Sequence, residues 1–195
     1  MGLDPATKPG PFHAVKFYEN PASLCRIVAE FLGAGLNAGQ PSLVIGTPRH
    51  RAGIQAELAI WGVNPARLQS TGDLLMLDAD ETLASFMVKG MPDAQRFART
   101  AAKGLDHLCR GRRDCTIRAY GEMVDVLWKK GQDAAAIRLE MMWNKLAATR
   151  DFSLLCGYAM GSFYKDAGRA AIHHQHSHVL PARDDEAMDT LAWAQ

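Results

Sequence analysis

Five short runs of nearly continuous apolar residues, the first four each followed by a stretch with helical spacing, constrain this chain more than any other feature. His13 to Tyr18, Pro41 to Thr47 (PSLVIGT), Leu74 to Leu77, Thr116 to Ala119 and Phe152 to Tyr158 (FSLLCGY) read as strands. A strand exposed on one side alternates apolar and polar residues. These runs do not alternate, which is the pattern of strands covered on both faces in a parallel sheet. Pro21 to Leu36 carries Leu24, Ile27, Val28, Phe31 and Leu32 at helical spacing and ends in Gly33, Gly35 and Gly39. A second helix runs through Ile54, Leu58 and Trp61 to Gly62, and a third covers Asp93 to Cys109. Two more follow the fourth strand, Glu122 to Lys130 and Asp133 to Thr149, with Gly131 as the break and Asp133 placed to cap the second. The alternation predicts an α/β fold, a three-layer sandwich with a mostly parallel central sheet.

The chain has 195 residues, enough for one domain with a substantial core. The reading divides it into a Pro- and Gly-rich arm (1–11), a folded domain (12–181) and a tail (182–195). In the tail, Met188, Leu191, Ala192 and Trp193 suit a short amphipathic helix that docks on a partner or a second copy, so a homo-oligomer is one expectation. The net charge of +1, from 22 basic and 21 acidic residues, gives no electrostatic ground for direct nucleic-acid binding. Four widely spaced cysteines (Cys25, Cys109, Cys115, Cys156) without a CxxC pair read as reduced thiols of a cytoplasmic protein. No apolar run reaches the roughly 18 residues of a membrane span, and the amino terminus lacks a signal-peptide pattern.

Candidate site residues cluster at strand ends, because ligands of open α/β sheets sit outside the carboxyl ends of the strands. Tyr18 and Glu19 follow the first strand, Tyr120 and Glu122 the fourth, and Tyr158 the fifth. Adjacent strands would bring these groups to one edge, with aromatic walls and a few polar groups for a small organic ligand. The competing reading has the tyrosines covering the sheet end and the carboxylates capping helices. Glu140, Trp143 and Asn144 share a helix face. Glu140 and Asn144 are therefore candidate pocket residues, and Trp143 a core residue. Four of the seven histidines fall within 173–178. With Ser177 in a strand, His176 and His178 project to one face and join the candidate ligand contacts. The reading assigns no cofactor and no metal; His174, His176 and His178 are the ligands if a metal binds. Other roles for this cluster are anion binding, response to pH, or anchoring the last strand. Arg110, Arg112 and Arg113 read as a solvated basic turn. Arg118 interrupts an apolar strand and calls for a carboxylate from Glu122, Asp125 or Glu140.

The opening strand, the corner Tyr18-Glu19-Asn20-Pro21-Ala22-Ser23, a helix ending FLGAGL and then GQPSLVIGT resemble the start of RecA-like ATPases of the KaiC type. A phosphate loop needs glycines, a lysine and a Ser or Thr for magnesium. This corner has no Gly and no Lys, and a carboxylate stands where phosphate would sit, which argues against ATP hydrolysis. HAVKFYEN with FLGAGLNAG, RAYGEMVDVLW, RLEMMWNKL before FSLLCGYAM, and the closing HSHVLP together resemble the MEDS family of methanogen/methylotroph, DcmR-type sensory domains, over about His13 to Pro181. The resemblance implies a non-enzymatic sensor of small organic molecules that signals to a partner such as a histidine kinase or a transcriptional regulator. Two alternatives remain: a nucleotide-binding KaiC-like protein without efficient hydrolysis, and a metal-dependent enzyme built on the histidines at 173–178.

Overall fold

A computed structural model describes residues 12–160, 172 and 174–180. The N-terminal arm, the tail and His173 lie outside the described residues. In chain order the elements are β1 (His13–Tyr18), α1 (Pro21–Asn37), β2 (Ser42–Gly46), α2 (Pro48–Ile60), α3 (Pro65–Thr71), β3 (Leu74–Asp78), α4 (Ala79–Phe86), β4 (Met87–Val88), β5 (Met91–Pro92), α5 (Ala94–Leu108), β6 (Ile117–Gly121), α6 (Met123–Lys129), α7 (Asp133–Ala147), β7 (Phe152–Ala159) and β8 (His178–Leu180). Six strands form one sheet in the order β3-β2-β6-β7-β1-β8, and every neighbouring pair is parallel. The expected three-layer α/β sandwich is therefore present, and all five expected strands are in it.

Strand alternation sends the core to both faces. Val15, Phe17, Ala119, Leu154 and Cys156 face a layer containing α5, α6 and α7. Ala14, Tyr18, Val44, Tyr120 and Leu155 face α1 and α2. Local chemistry sets the helix starts. Asn20 accepts from Ala22 N–H at α1, Asn64 from Arg67 N–H at α3, Asp78 from Asp80 and Glu81 N–H at α4, and Asp93 from Arg96 N–H at α5. At α7 the cap residue is Gln132, so Asp133 is the first helical residue rather than the cap. Its charge still favours that end of the helix dipole. Three features lack an apolar run long enough to announce them: α3, α4 and the β4–β5 hairpin. Lys89 and Gly90 both adopt positive φ in that hairpin, as a two-residue turn requires.

The structure corrects three further expectations. Cys109, which caps α5, and Cys115 are joined by a disulfide with Cα atoms 5.6 Å apart, so only Cys25 and Cys156 are free thiols. The chain reverses between α5 and β6, and this brings two cysteines six positions apart together. Gly33 and Gly35 do not end α1, which continues to Asn37. Arg118 has no carboxylate partner among the described residues. Its guanidinium donates to Gln40 Oε1 (2.9 Å) and the Phe31 carbonyl (2.8 Å) and lies 5.2 Å from the Phe31 ring centroid. An amide, a carbonyl and a ring face share the charge, which suits a weakly hydrated guanidinium.

Gly35 is what lets α1 lie over Arg118, since a Cβ there would fall 2.5 Å from Arg118 Cδ. Two hydrogen bonds and the ring contact pin that side chain, so it cannot swing aside cheaply. Gly35→Ala is expected to destabilise the fold by about 1–3 kcal/mol despite alanine's better helix propensity. Urea denaturation checks this; a stability equal to or above that of the parent would show that Arg118 moves freely.

Candidate functional site

Strands β2 and β6 are neighbours whose connections leave toward opposite faces. The α2 and α3 segment covers the Tyr120 face, while α6 and α7 cover the other. In an open parallel sheet this divergence opens a crevice at the carboxyl ends of the strands. Glu122 occupies it. It sits at the N-cap position of α6, but its side chain makes no cap bond there. It reaches instead across to α2, where one carboxylate oxygen accepts from Thr47 N–H and the other meets His50 Nδ1. The α2 helix has no acidic residue in its own first turn and no side-chain cap, so Glu122 supplies both from another element. Tyr120 donates to the same carboxylate at 3.2 Å. Gly157 gives Tyr120 room, because a Cβ there would stand 2.9 Å from the hydroxyl.

Glu122 is 1% exposed. Burial pushes its carboxyl up, but hydrogen bonding to His50, the His50 charge and the Thr47 N–H bonds outweigh this and hold it below the usual carboxylate range. The surrounding acids move the other way. Burial raises Tyr120 well above a normal phenol, with Glu122 adding to the effect. Burial likewise raises Tyr18, with Asp125 and Glu122 contributing. Tyr18 meets the His50 ring edge-on at 5.7 Å. Asp125, raised by burial, accepts from Ala159 N–H at 3.1 Å and pairs with Lys129 at 2.6 Å.

A second buried network lies on the opposite face, beneath α7. Glu140 is fully buried and accepts from Tyr158 O–H at 2.7 Å. Its other neighbours are His13 Nε2 at 3.3 Å, His176 Nε2 at 3.4 Å and Cys156 Sγ at 3.7 Å. Burial opposes its charge, but the bond to His13 and the charge of His176 hold the carboxyl far below its usual range. Asn144 binds His13 Nδ1 at 2.7 Å through its oxygen, and its NH2 donates to the Gln175 carbonyl at 2.8 Å. The two imidazole rings lie 4.2 Å apart.

The open space is elsewhere. A cleft of about 430 Å3 lies between α4 and α5 along edge strand β3. Leu75 and Leu77 form its floor, and Asp78, Glu81, Lys103, His107 and Arg110 are among its polar lining. Asp78 ties the cleft to the first network. Arg51, on α2, donates to Asp78 at 2.9 Å and to the Gly46 carbonyl at 3.1 Å. The α4 N–H groups and Arg51 together hold Asp78 below the usual carboxylate range against the opposing effect of burial.

The sequence profile of one family, the methanogen/methylotroph, DcmR sensory domain (MEDS), matches residues 12–175, which include every element from β1 to β7. The chain belongs to the MEDS family. A sensory role follows from that membership. No curated protein matches in sequence. Among solved structures, the MEDS domain is similar to a KaiC-like protein from the hyperthermophilic archaeon Pyrococcus horikoshii OT3, at 10% identity and a TM-score of 0.59 over 88% of this chain and 72% of that one. At that identity the likeness is one of fold, and it supports the RecA/KaiC-like architecture.

Within the MEDS domain the candidate residues fall into two sets rather than one. Tyr18, Tyr120 and Glu122 meet at the carboxyl ends of the strands on the α1/α2 face. Tyr158 points to the other face and joins Glu140, Asn144 and His176. The single edge expected for Tyr18, Tyr120, Glu122 and Tyr158 therefore splits, although β6, β7 and β1 are adjacent. Glu19 is exposed at the bend after β1. Ser177 lies at a bend before β8, not within a strand, and the side chain of His178 lies outside the described residues. Trp143 is core, packed edge-on against Phe97. Sequence reasoning missed His50, His13, Cys156 and Asp78 as site residues. His13 was open to notice as a polar residue opening an apolar strand, but Cys156 becomes its neighbour only through the β1–β7 register. No helix among the described residues is long and apolar enough to cross a membrane.

Proposed function

We propose that this MEDS domain is a non-enzymatic sensor that takes a small organic molecule in the α4/α5 cleft and passes the event to a signalling partner, such as a histidine kinase or a transcriptional regulator. The observation that carries this reading is the cleft itself. Its volume of about 430 Å3 falls within the range of small-molecule pockets, and it pairs an apolar floor with a mixed-charge rim. The ligand class is an apolar body with one polar or anionic end, the apolar part on Leu75 and Leu77 and the polar part toward Lys103, His107 or Arg110. Asp78, Arg51, Thr47 and Glu122 form a continuous bonded route from cleft to sheet edge, so Tyr120 and Glu122 belong to the response more than to the first contact.

The corner after β1 supports a sensor over a nucleotide hydrolase. Asn20 already caps α1, Glu19 brings negative charge, and the segment lacks the glycines and lysine of a phosphate loop. The test is a heteronuclear NMR titration with short-chain alcohols, aldehydes, amines and carboxylic acids, plus ATP with magnesium. Saturable shifts at Leu75, Leu77 and Gly104 are expected for at least one organic compound. Thr100→Phe fills the cleft from its partly exposed rim and is expected to weaken that binding at least tenfold. Tighter binding of ATP than of any panel compound would overturn the reading.

A further inference from the structure

Independently of where the small molecule binds, we infer that His13, Glu140, Cys156 and His176 form a binding site for one divalent transition-metal ion, with zinc the best fit. Their donor atoms all lie within 4.8 Å of one another. His13 Nε2 is 3.3 Å from both Cys156 Sγ and Glu140 Oε2, Cys156 Sγ is 3.7 Å from Glu140 Oε2, and His176 Nε2 is 3.4 Å from Glu140 Oε1. Tetrahedral zinc, with bonds of about 2.0–2.1 Å to N and O and about 2.3 Å to S, requires donor-to-donor edges of about 3.3–3.6 Å. Four donor separations, of 3.3–3.7 Å, are close to those edges, with Glu140 presenting Oε2 to His13 and Cys156 and Oε1 to His176; the separations of His176 Nε2 from His13 and Cys156, within 4.8 Å, must shorten when an ion is bound.

The hydrogen bonds behind the ligands fix which ring nitrogens face inward. His176 Nδ1 is 2.8 Å from the Ile172 carbonyl, which only accepts, so this nitrogen carries the proton. In the neutral ring the lone pair is then on Nε2, in a side chain with no exposed surface, and that atom has no hydrogen-bond partner among the described residues. His13 follows the same logic. Asn144 uses its NH2 on the Gln175 carbonyl, so its oxygen faces His13 Nδ1 and accepts from it. In the neutral ring, the form that binds a metal, His13 Nε2 therefore also carries a lone pair aimed inward. Two imidazole lone pairs, a carboxylate and a thiol sulfur converge in a space closed to water. Ligating histidines are held in this way, each by an oxygen acceptor on its far nitrogen.

Charge points to a divalent ion. Two neutral imidazoles, one carboxylate and one thiolate carry −2, which M2+ cancels to leave a neutral buried centre. The mixed N, S and O donor set excludes the hard cations calcium and magnesium, which take oxygen ligands. Four protein donors complete a tetrahedron and leave no position for an activated water, so the ion is structural or regulatory rather than hydrolytic. It would join β1, α7, β7 and the segment before β8. None of these roles falls to His174, and His13, Glu140 and Cys156 lie far from the 173–178 cluster in sequence.

The test uses the untagged full chain, stripped with chelator and titrated with Co2+ and Zn2+. One equivalent of Co2+ is expected to give the intense visible bands of tetrahedral cobalt and a thiolate-to-cobalt charge-transfer band. Zn2+ should displace it and raise the melting temperature. Cys156→Ser, nearly isosteric, is expected to lose the charge-transfer band, and Asn144→Ala to weaken affinity about 10–100-fold. Cys25→Ser and His174→Asn are expected to leave the spectrum unchanged. Chelator-treated melts identify any variant that fails to fold. Absence of stoichiometric binding, a charge-transfer band that survives Cys156→Ser, or binding lost in His174→Asn would each overturn the assignment.

Discussion

Replacing His50 with alanine is expected to destabilise the domain by about 3–5 kcal/mol at neutral pH, because it leaves the buried Glu122 carboxylate without its imidazole partner. For a chain of this size that corresponds to a fall of about 6–20 °C in melting temperature. The pH dependence should change as well. In the parent, Glu122 is held below its unfolded pKa, so its contribution is present above that value and disappears as pH falls through the folded pKa. Without His50, only the Thr47 and Tyr120 hydrogen bonds oppose burial, and the folded pKa is expected to rise. The carboxyl then favours the unfolded state as pH rises, so the loss in His50→Ala should shrink toward acid pH. Urea denaturation between pH 4 and pH 8 checks this. A loss that stays constant with pH would mean that packing alone explains it.

Glu140→Ala should have an effect of the same order, about 3–5 kcal/mol, when both proteins are measured with chelator present. One side chain accepts from the Tyr158 hydroxyl and lies against two buried imidazoles, and all of these neighbours belong to other elements. Truncation removes the acceptor of the Tyr158 hydroxyl bond and the carboxylate that both imidazoles face, in a site closed to water. Glu140→Gln keeps the shape and one acceptor, and should recover part of the loss. If Glu140→Ala melts with the parent in chelator, the network is not a structural element.

Much of the architecture was legible in the sequence because buried parallel strands carry their own signature. His13 to Tyr18 and Phe152 to Tyr158 needed no tertiary information, and the latter falls one residue short of β7. What escaped were elements whose stability comes from caps and turns rather than apolar runs, such as α4, which starts on Asp78 with Asp80 and Glu81 in its first turn. The site was half legible. Glu122 and Tyr120 could be placed at a strand-to-helix junction from local sequence. Glu122 takes its partners from a helix about seventy residues upstream, a pairing set only when β2 and β6 align. Tyr158 was expected to converge with Tyr18 and Tyr120 on one edge but turns to the opposite face, because strand periodicity gives alternation and not which face a given strand's odd residues take. Arg118 was matched to a carboxylate on the general cost of a buried charge, whereas Gln40, a carbonyl and the Phe31 ring satisfy it together.

The central claim, that occupancy of the α4/α5 cleft is felt at the sheet edge through Asp78 and Arg51, is tested most directly by amide hydrogen exchange. The wild-type domain would be compared with Arg51→Met, each with and without saturating amounts of the panel compound that binds most tightly. The account predicts altered exchange at Thr47, His50 and Arg51 on binding to the wild type, and loss of that response in Arg51→Met with cleft affinity retained. Exchange changes confined to α4 and α5 in both proteins would contradict it.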